Sequence, residues 1–151
     1  MLVKGAPDVL LLSCTHVMKA DGTTVPLDDK RRAQLVALQE GWSAEGQRVL
    51  ALCHRQLAGV KVDVERMSAS EIEEIMYDEL EGLTLVGLVG LRDPPRCDVK
   101  DAIAVIRKAG VKVFMVTGDF ELTAVAIAKQ VCGTLFLVAI WGLGVAYFFH
   151  P

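Results

Sequence analysis

Three polar residues that follow a short apolar run are the best placed for chemistry. Thr117, Gly118 and Asp119 lie between the β-branched run Val111–Val116 and a helical pattern over Glu121–Val131. This order predicts a buried strand, a tight turn and a helix, and open parallel sheets keep ligand sites at the carboxyl ends of their strands. Thr117 offers a hydroxyl, Gly118 lets a ligand approach the backbone, and Asp119 supplies a charge and a helix N-cap. Free N–H groups at the helix start would favour an anion, and the alternative is an ordinary loop.

The cysteines and histidines do not have the spacing of a metal site. Cys14 lies close to His16 and Cys53 directly precedes His54, but neither pair has ligand spacing or a second pair to complete it. The sequence has no C-x-x-C motif and no signal peptide before the cysteines. We therefore expect reduced thiols, a cytosolic environment for them and no bound metal.

The overall charge argues against one class of partner. The 151 residues carry a net charge of −3, and the pI is near 5.6. This balance gives no electrostatic reason to expect nucleic acid. The hydrophobic content of 52% suits one or two small globular domains that are more apolar than usual.

The first half of the chain predicts alternating strands and helices. We expect a strand end at Met1–Lys4, a helix from Asp8 to about Val17, and a hairpin-type turn at Ala20–Thr23. A second helix begins near Pro26 and Asp28, with core-facing residues at helical spacing: Leu35, Leu38 and Trp42.

The next segments predict a strand and a short surface helix. Arg48–His54 has the pattern of a strand, and the acidic, polar segment 61–81 has the character of a connection on the surface. Within it, Ser68 and Glu71 have capping-box spacing ahead of an apolar series that indicates a helix.

The second half predicts the order strand, helix, strand, helix. Leu83–Leu91 is an uninterrupted apolar run, which is typical of a strand buried on both faces. Two prolines in the segment Asp93–Arg96 end it, and Asp98 begins a helix that Gly110 closes. This order calls for parallel strands joined by crossover connections. The apolar face of the first helix is expected to contain Val99, Ala102, Ile103 and Ile106.

The C-terminal segment is apolar throughout. Val131–Phe149 contains no charged residue over 19 positions, which is close to the length that spans a bilayer. Two interpretations stay open for 134–151: a transmembrane helix, or an apolar tail from a misread gene or altered splice. In either case we expect the segment to associate with lipid or with another chain.

Four separated motifs occur in an order that is similar to that of the P-type cation-transporting ATPases. The similarity covers residues 1–133 and is greatest to the Na,K- and H,K-type pumps and related Na or Ca pumps. The motifs are Lys4-Gly5-Ala6-Pro7, Gly46-Gln47-Arg48-Val49-Leu50, Asp93-Pro94-Pro95-Arg96 and Met115-Val116-Thr117-Gly118-Asp119.

The resemblance implies a nucleotide site. Lys4 and Gly5 match the motif of the nucleotide-binding domain whose lysine lines the ATP pocket. Arg48 matches an arginine that reaches the phosphates, a task that suits a guanidinium fork. Asp93 and Arg96 match the hinge that leads back to the phosphorylation domain and approaches the nucleotide. ATP is thus the implied ligand, with Mg²⁺ as a cofactor of the family.

The resemblance also implies that catalysis is incomplete. Thr117, Gly118 and Asp119 match the loop that surrounds the transferred phosphoryl group. The family's phosphorylated aspartate lies in an Asp-Lys-Thr-Gly-Thr motif, which this sequence lacks, and Asp21 begins a turn only. The later magnesium-holding segment and the first half of the nucleotide-binding domain are missing too. We therefore expect the chain alone not to hydrolyse ATP.

The implied fold is α/β in two incomplete parts. Residues 1–91 form part of the nucleotide-binding domain, and 92–133 form part of a Rossmann-like (HAD-like) phosphorylation domain, with the hinge at 92–96. The implied function is a share of ATP binding and phosphoryl transfer in a membrane cation pump, with residues 1–133 on the cytoplasmic side. Two alternatives remain: a truncated, non-catalytic, membrane-associated interaction fragment, and another HAD-like phosphohydrolase. No residue of the chain identifies the cation.

Overall fold

A computed structural model describes residues 1–59, 62–63, 65–132, 137–140 and 145–148, with side chains up to residue 131. The chain forms two compact units, which are described separately. The first contains Met1–Ala37 and Val49–Val89, and the second contains Leu38–Arg48 and Gly90–Pro151. The elements in chain order are β1 (Leu2–Gly5), α1 (Pro7–Ser13), β2 (Cys14–Met18), β3 (Thr24–Pro26), α2 (Asp29–Ala44), β4 (Arg48–His54), α3 (Ala69–Asp78), β5 (Leu83–Leu91), α4 (Val99–Lys108), β6 (Phe114–Thr117), α5 (Glu121–Cys132), β7 (Leu137–Ile140) and β8 (Val145–Phe148).

A five-stranded mixed sheet organises the first unit. Its strand order is β1-β4-β5-β2-β3. β1 pairs with β4 and β2 pairs with β3 in antiparallel fashion, whereas β2 and β5 are parallel. The α/β class expected from the sequence is confirmed for this unit.

Alternating burial along the strands builds the core of the first unit. In β4 the residues Val49, Ala51 and Cys53 are buried while their neighbours are more accessible, which is the period of a half-buried strand. Helix α1 adds Leu10 and Leu11. The buried cluster consists of Leu10, Leu11, Cys14, Leu27, Ala51, Cys53, Leu83 and Leu85.

The predicted hairpin turn is confirmed between β2 and β3. The backbone N of Thr23 and its hydroxyl both donate to Asp21 Oδ1, at 2.9 and 2.6 Å. These two bonds lower the pKa of Asp21. Gly22 adopts φ +82°, a conformation that glycine accepts without steric cost.

The second unit packs helices α4 and α5 beside a three-stranded sheet. β6 pairs with β7 in parallel, and β7 pairs with β8 in antiparallel fashion. Apart from Thr123, the buried residues of α5 are alanines and a valine, and these small side chains let residues of α4, of β6 and just before β6 approach closely. The cluster contains Ala124, Ala128 and Val131, with Val99, Ile103, Val113 and Met115 packed against it.

Two local predictions in the first half are wrong. The first helix ends at Ser13 rather than near Val17, because the β-branched Thr15 and Val17 lie in β2, which pairs with β3 and β5. In α2, Leu38 is 42% exposed rather than core-facing, whereas Leu35 packs against the buried cluster as expected. The fully buried positions of α2 are Gln39 and Ser43.

The predicted pairing of the second-half strands is also wrong. β5 and β6 belong to different sheets, and each has another parallel partner, β2 for β5 and β7 for β6. β5 is not buried on both faces either. Leu83 and Leu85 are fully buried, but its last residue, Leu91, is 48% exposed.

The apolar C-terminal segment contains strands where the structure describes it. Residues 137–140 and 145–148 form β7 and β8, so the transmembrane-helix interpretation does not agree with the structure at these positions. Across the described ranges, no helix has both the length and the apolar character to cross a membrane. The other positions of 134–151 lie outside the described residues.

Candidate functional site

An ion pair joins the start of β4 to the turn after β6. Arg48 Nε donates to Asp119 Oδ1 at 2.7 Å, and Arg48 Nη2 contacts the same oxygen. The two residues are 71 positions apart in the sequence, and both belong to the second unit. The side chain of Arg48 is 61% exposed and that of Asp119 is 19% exposed. The guanidinium therefore faces solvent while its carboxylate partner is held in the turn.

Thr117 fixes the conformation of this turn. Its hydroxyl donates to Asp119 Oδ2 at 2.9 Å and accepts from the backbone N of Asp119 at 3.1 Å. Both carboxylate oxygens of Asp119 thus accept hydrogen bonds. Asp119 is not the N-cap that the sequence suggested, because α5 begins at Glu121 and the carbonyl of Phe120 accepts from Ala124 N at 3.0 Å.

A second contact fixes the backbone beside Arg48. The hydroxyl of Thr123, in the first turn of α5, donates to the carbonyl oxygen of Gln47 at 2.8 Å. Thr123 is 1% exposed, so this bond is shielded from water. Gly46 adopts φ +83°, and a Cβ at that position would lie 3.0 Å from Gln130 Nε2. The segment 46–48 is therefore seated on α5, where Arg48 can reach Asp119.

The hinge motif lines an open apolar pocket of about 450 Å³ in the second unit. The guanidinium of Arg96 lies beside Asp98, with 3.9 Å between Nε and Oδ1, and both side chains are largely exposed. The motif contributes the acidic side chain of Asp93 and the basic side chain of Arg96 to a lining that is otherwise mostly apolar. The lining residues are Asp93, Pro94, Pro95, Arg96, Val99, Ile103, Val113, Phe114, Met115, Ile127 and Val131.

The predicted lysine and glycine lie on β1 in the first unit. Lys4 is exposed and is paired with Leu52 of β4. Gly5 has a packing role, because a Cβ there would lie 3.2 Å from Cδ1 of Leu10. A side chain at this position would press on the buried face of α1.

Of the residues expected to form the site, the structure brings Arg48, Thr117 and Asp119 together. Thr123 also contributes a contact, and the sequence did not predict it. No local pattern could have found it, since its partner Gln47 is 76 positions away. A buried threonine in the first turn of a helix otherwise resembles any core residue.

The residues that the structure describes do not by themselves supply a magnesium site. Within them, no group of three or more His, Cys, Asp or Glu side chains is placed to hold a metal ion. The oxygens of Asp119 accept from Arg48 and Thr117.

Comparison with known proteins gives consistent matches over most of the chain. Residues 1–98 match the family described as P-type ATPase, cytoplasmic domain N. The chain is 37% identical over 129 residues to calcium-transporting ATPase 1 of Bacillus cereus, which covers 85% of this chain and 13% of that protein. It is 37% identical over 131 residues to the sodium/potassium-transporting ATPase subunit alpha-A of Artemia franciscana, covering 87% of this chain and 13% of the relative. It is 40% identical over 132 residues to the plasma membrane-type calcium-transporting ATPase 7 of Oryza sativa, covering 87% and 12%. The chain therefore spans only about one eighth of the length of these relatives.

Proposed function

The chain belongs to the family of P-type cation-transporting ATPases, and from this we propose that it contributes ATP binding and part of the phosphoryl-transfer site to a cation pump. The observation that carries the proposal is the pairing of Arg48 with Asp119 in the turn that Thr117 fixes. It brings a solvent-facing guanidinium to the loop that, in the family resemblance, surrounds the phosphoryl group.

The chemistry of Arg48 suits a phosphate ligand. A guanidinium is always charged and presents a planar fork of donors that matches phosphate oxygens. Asp119 occupies part of this fork through Nε and Nη2. Because the side chain of Arg48 is 61% exposed, a phosphate can reach it from solvent. The carboxylate then holds the fork in position until a phosphate replaces it or shares it.

The other residues of the proposed site divide between pocket and loop. Lys4, exposed on β1, would line the ATP pocket, and Gly5 would keep that strand close to α1. Asp93 and Arg96 of the hinge would approach the nucleotide. In the loop, Thr117 and Gly118 would contact the phosphoryl group through the hydroxyl and through close backbone approach, and Asp119 would hold Arg48 beside it.

The nucleophile of the reaction lies outside this sequence. Phosphoryl transfer to an aspartate requires a carboxylate that no segment of the chain supplies in the family's sequence context. We propose that these residues bind and orient ATP without hydrolysing it, on the cytoplasmic side of a membrane pump. Magnesium would enter with residues of the parent pump that this sequence does not contain.

A calorimetric titration with ATP and with adenosine tests the proposal. We expect the chain to bind ATP with Kd of order millimolar, about 4 kcal/mol of binding free energy, and adenosine more weakly because it has no phosphate. Lys4→Ala should weaken ATP binding, because a cation facing the phosphates is removed. Lys30→Ala is the matched control, since it removes an exposed lysine from α2.

Two outcomes would count against the proposal. One is equal binding of ATP and adenosine, because the phosphates would then contribute nothing. The other is micromolar ATP binding that Lys4→Ala does not change, which would locate the nucleotide elsewhere on the chain.

A further inference from the structure

Two cysteines that the proposed function does not use face each other inside the first unit. Sγ of Cys14 lies 3.6 Å from Sγ of Cys53, and the residues are 1% and 2% exposed. They are 39 positions apart in the sequence, on β2 and β4. No spacing in the sequence relates them, and in the sheet β2 and β4 lie on either side of β5, so the two side chains meet across that strand.

The surroundings of the pair divide the two thiols into a nucleophile and a proton donor. The hydrogen bond between the two thiols lowers the pKa of Cys14, assisted by the positive charge of Arg32 and opposed by burial. The hydrogen bond with Cys14, together with burial, raises the pKa of Cys53. Cys14 is therefore the sulfur that ionises first, and the thiolate is the reactive form of cysteine.

Arg32 is placed to assist an anionic sulfur. Its Nη2 donates to the carbonyl oxygen of Cys14 at 2.9 Å. Among the described residues, Nη1 of the same guanidinium is buried and has no hydrogen-bond partner. A buried donor without a partner is costly, and this one belongs to the guanidinium that already contacts the Cys14 backbone.

We propose that Cys14 and Cys53 form a two-thiol modification site that hydroperoxides convert into an intramolecular disulfide. The Cys14 thiolate attacks the terminal peroxide oxygen, so an S–O bond forms and the O–O bond breaks. The departing oxygen takes up the proton that Cys14 released on ionising and leaves as an alcohol or water. The sulfur of Cys53 then attacks the sulfenic sulfur of Cys14. The S–S bond forms, the S–O bond breaks, and the hydroxyl leaves as water with the proton of Cys53. The two thiols lose two electrons in total, and one hydroperoxide is reduced.

The fold provides a route to the buried pair. Cys14 is the first residue of β2, directly after a helix of only seven residues, α1. The pairing of β2 with β5 is irregular between Cys14 and His16. The outer face of α1 is solvated, with Leu12 78% exposed. Local opening of this helix exposes Cys14 without unfolding the central strands. The two sulfurs must then approach from 3.6 Å to the bonding distance of about 2.05 Å. Because β5 lies between β2 and β4, the opened segment must also carry the Cys14 backbone closer to β4, since a disulfide requires Cα atoms within about 7 Å.

Peptide mapping of the whole chain after treatment with hydrogen peroxide tests the proposal. Trypsin releases each cysteine in its own peptide, at 5–19, 49–55, 97–100 and 130–151, after free thiols have been alkylated. We expect peptide 5–19 to be linked to peptide 49–55, with the link removed by dithiothreitol. Cys97, which is exposed, should remain a separately labelled thiol. Complete alkylation of both buried thiols after oxidation, or a link that joins either one to Cys97, would overturn the proposal.

Thermal unfolding provides a second readout. Closing a loop of this length should raise the unfolding midpoint by roughly 10 °C under oxidising conditions. Cys97→Ala should show the same rise on oxidation as the chain with its original sequence. Cys53→Ala should show none, and a rise in that variant would contradict the assignment. The mapping experiment uses no variant, so it decides the question even if Cys53→Ala folds poorly.

Discussion

At the scale of single residues, Arg48 has two competing anionic partners. In the structure the Asp119 carboxylate accepts from its guanidinium at 2.7 Å, and in the proposed function the phosphates of ATP do so. Because the Arg48 side chain is 61% exposed, the carboxylate pair contributes little to stability, typically about 0.2–1 kcal/mol for such pairs. It functions chiefly as a positioning contact.

Asp119→Asn should therefore increase the affinity for ATP. The substitution releases the guanidinium from a charged competitor and removes a negative charge that would repel phosphate. We expect Kd to fall by roughly two- to fivefold, given the free energy of surface ion pairs. Calorimetry at constant ionic strength measures the change. Asp101→Asn in the first turn of α4 removes the same charge from an exposed position and should leave Kd unchanged. Weaker ATP binding by Asp119→Asn would show that the carboxylate assists binding rather than competing with it.

At this scale the sequence predicts chemistry better than contacts. Thr117 and Asp119 could be selected because they follow a strand pattern and precede a helix pattern. Their bonds to each other are local and follow from the turn. The bond from Thr123 to Gln47 could not be predicted, because it depends on how α5 lies against a segment 76 residues away. The contact between Cys14 and Cys53 was missed for the same reason.

At the scale of elements, α3 shows how a short local signal determines a helix start. The hydroxyl of Ser68 accepts from the backbone N of Glu71, and a carboxylate oxygen of Glu71 accepts from the backbone N of Ser68 at 2.8 Å. The predicted capping box is therefore confirmed. The hydrogen bonds from the Ser68 hydroxyl and backbone lower the pKa of Glu71.

Ser68→Ala should shorten α3 at its N-terminus. Loss of the cap costs about 1 kcal/mol, and NMR secondary chemical shifts across α3 report the fraying. Ser70→Ala removes a neighbouring hydroxyl but keeps the cap, so its shifts should match those of the unmodified chain.

The effect of Ser68→Ala should also depend on pH. The pKa of Glu71 is lower in the folded chain than its unfolded value of 4.5. The stability that ionised Glu71 contributes is therefore fully present above pH 4.5 and is lost as the pH falls through the folded pKa. The difference between Ser68→Ala and the unmodified chain should therefore diminish in acid. Identical shifts for the two proteins at neutral pH would contradict the cap assignment.

The ends of helices and strands could be predicted where turn residues or prolines mark them. They could not be predicted where one stretch of apolar residues fits both a helix and a strand. β5 is predicted to the residue, because a turn precedes its apolar run and prolines follow it. The boundary between α1 and β2 was missed, because the apolar residues of 9–17 fit a helix as well as a helix followed by a strand. Partners of strands were missed as well. The choice of β2 rather than β6 for β5 depends on contacts that no local pattern encodes.

At the scale of the whole molecule, the apolar C-terminal segment contributes to the fold of the second unit. Within the described residues, β6 pairs with β7 over four positions, and β7 pairs in turn with β8. The lack of charge in this segment suits strands that pair as well as it suits a membrane span. Length and hydropathy alone could not separate the two interpretations.

Deleting residues 134–151 should destabilise the second unit selectively. The deletion removes β7 and β8, and a lone strand β6 has no ladder to stabilise it. Hydrogen exchange measured by mass spectrometry should show loss of protection across 114–117, while β1 and β4 keep theirs. Removing only residues 149–151, which follow β8, is the control and should change neither unit. Unchanged protection of β6 in the longer deletion would show that the strand pairing contributes nothing to its stability.

The most direct test of the central claim is the NMR signal of the Arg48 Nε–H group during a titration with ATP. The signal is assigned by its loss in Arg48→Lys, and in the absence of ligand it reports the bond to Asp119. We predict that ATP shifts this signal progressively, with half-saturation at about millimolar concentration, while adenosine leaves it in place. If the Arg48 signal stays in place while other signals of the chain show that ATP binds, the assignment of Arg48 to the phosphates is contradicted.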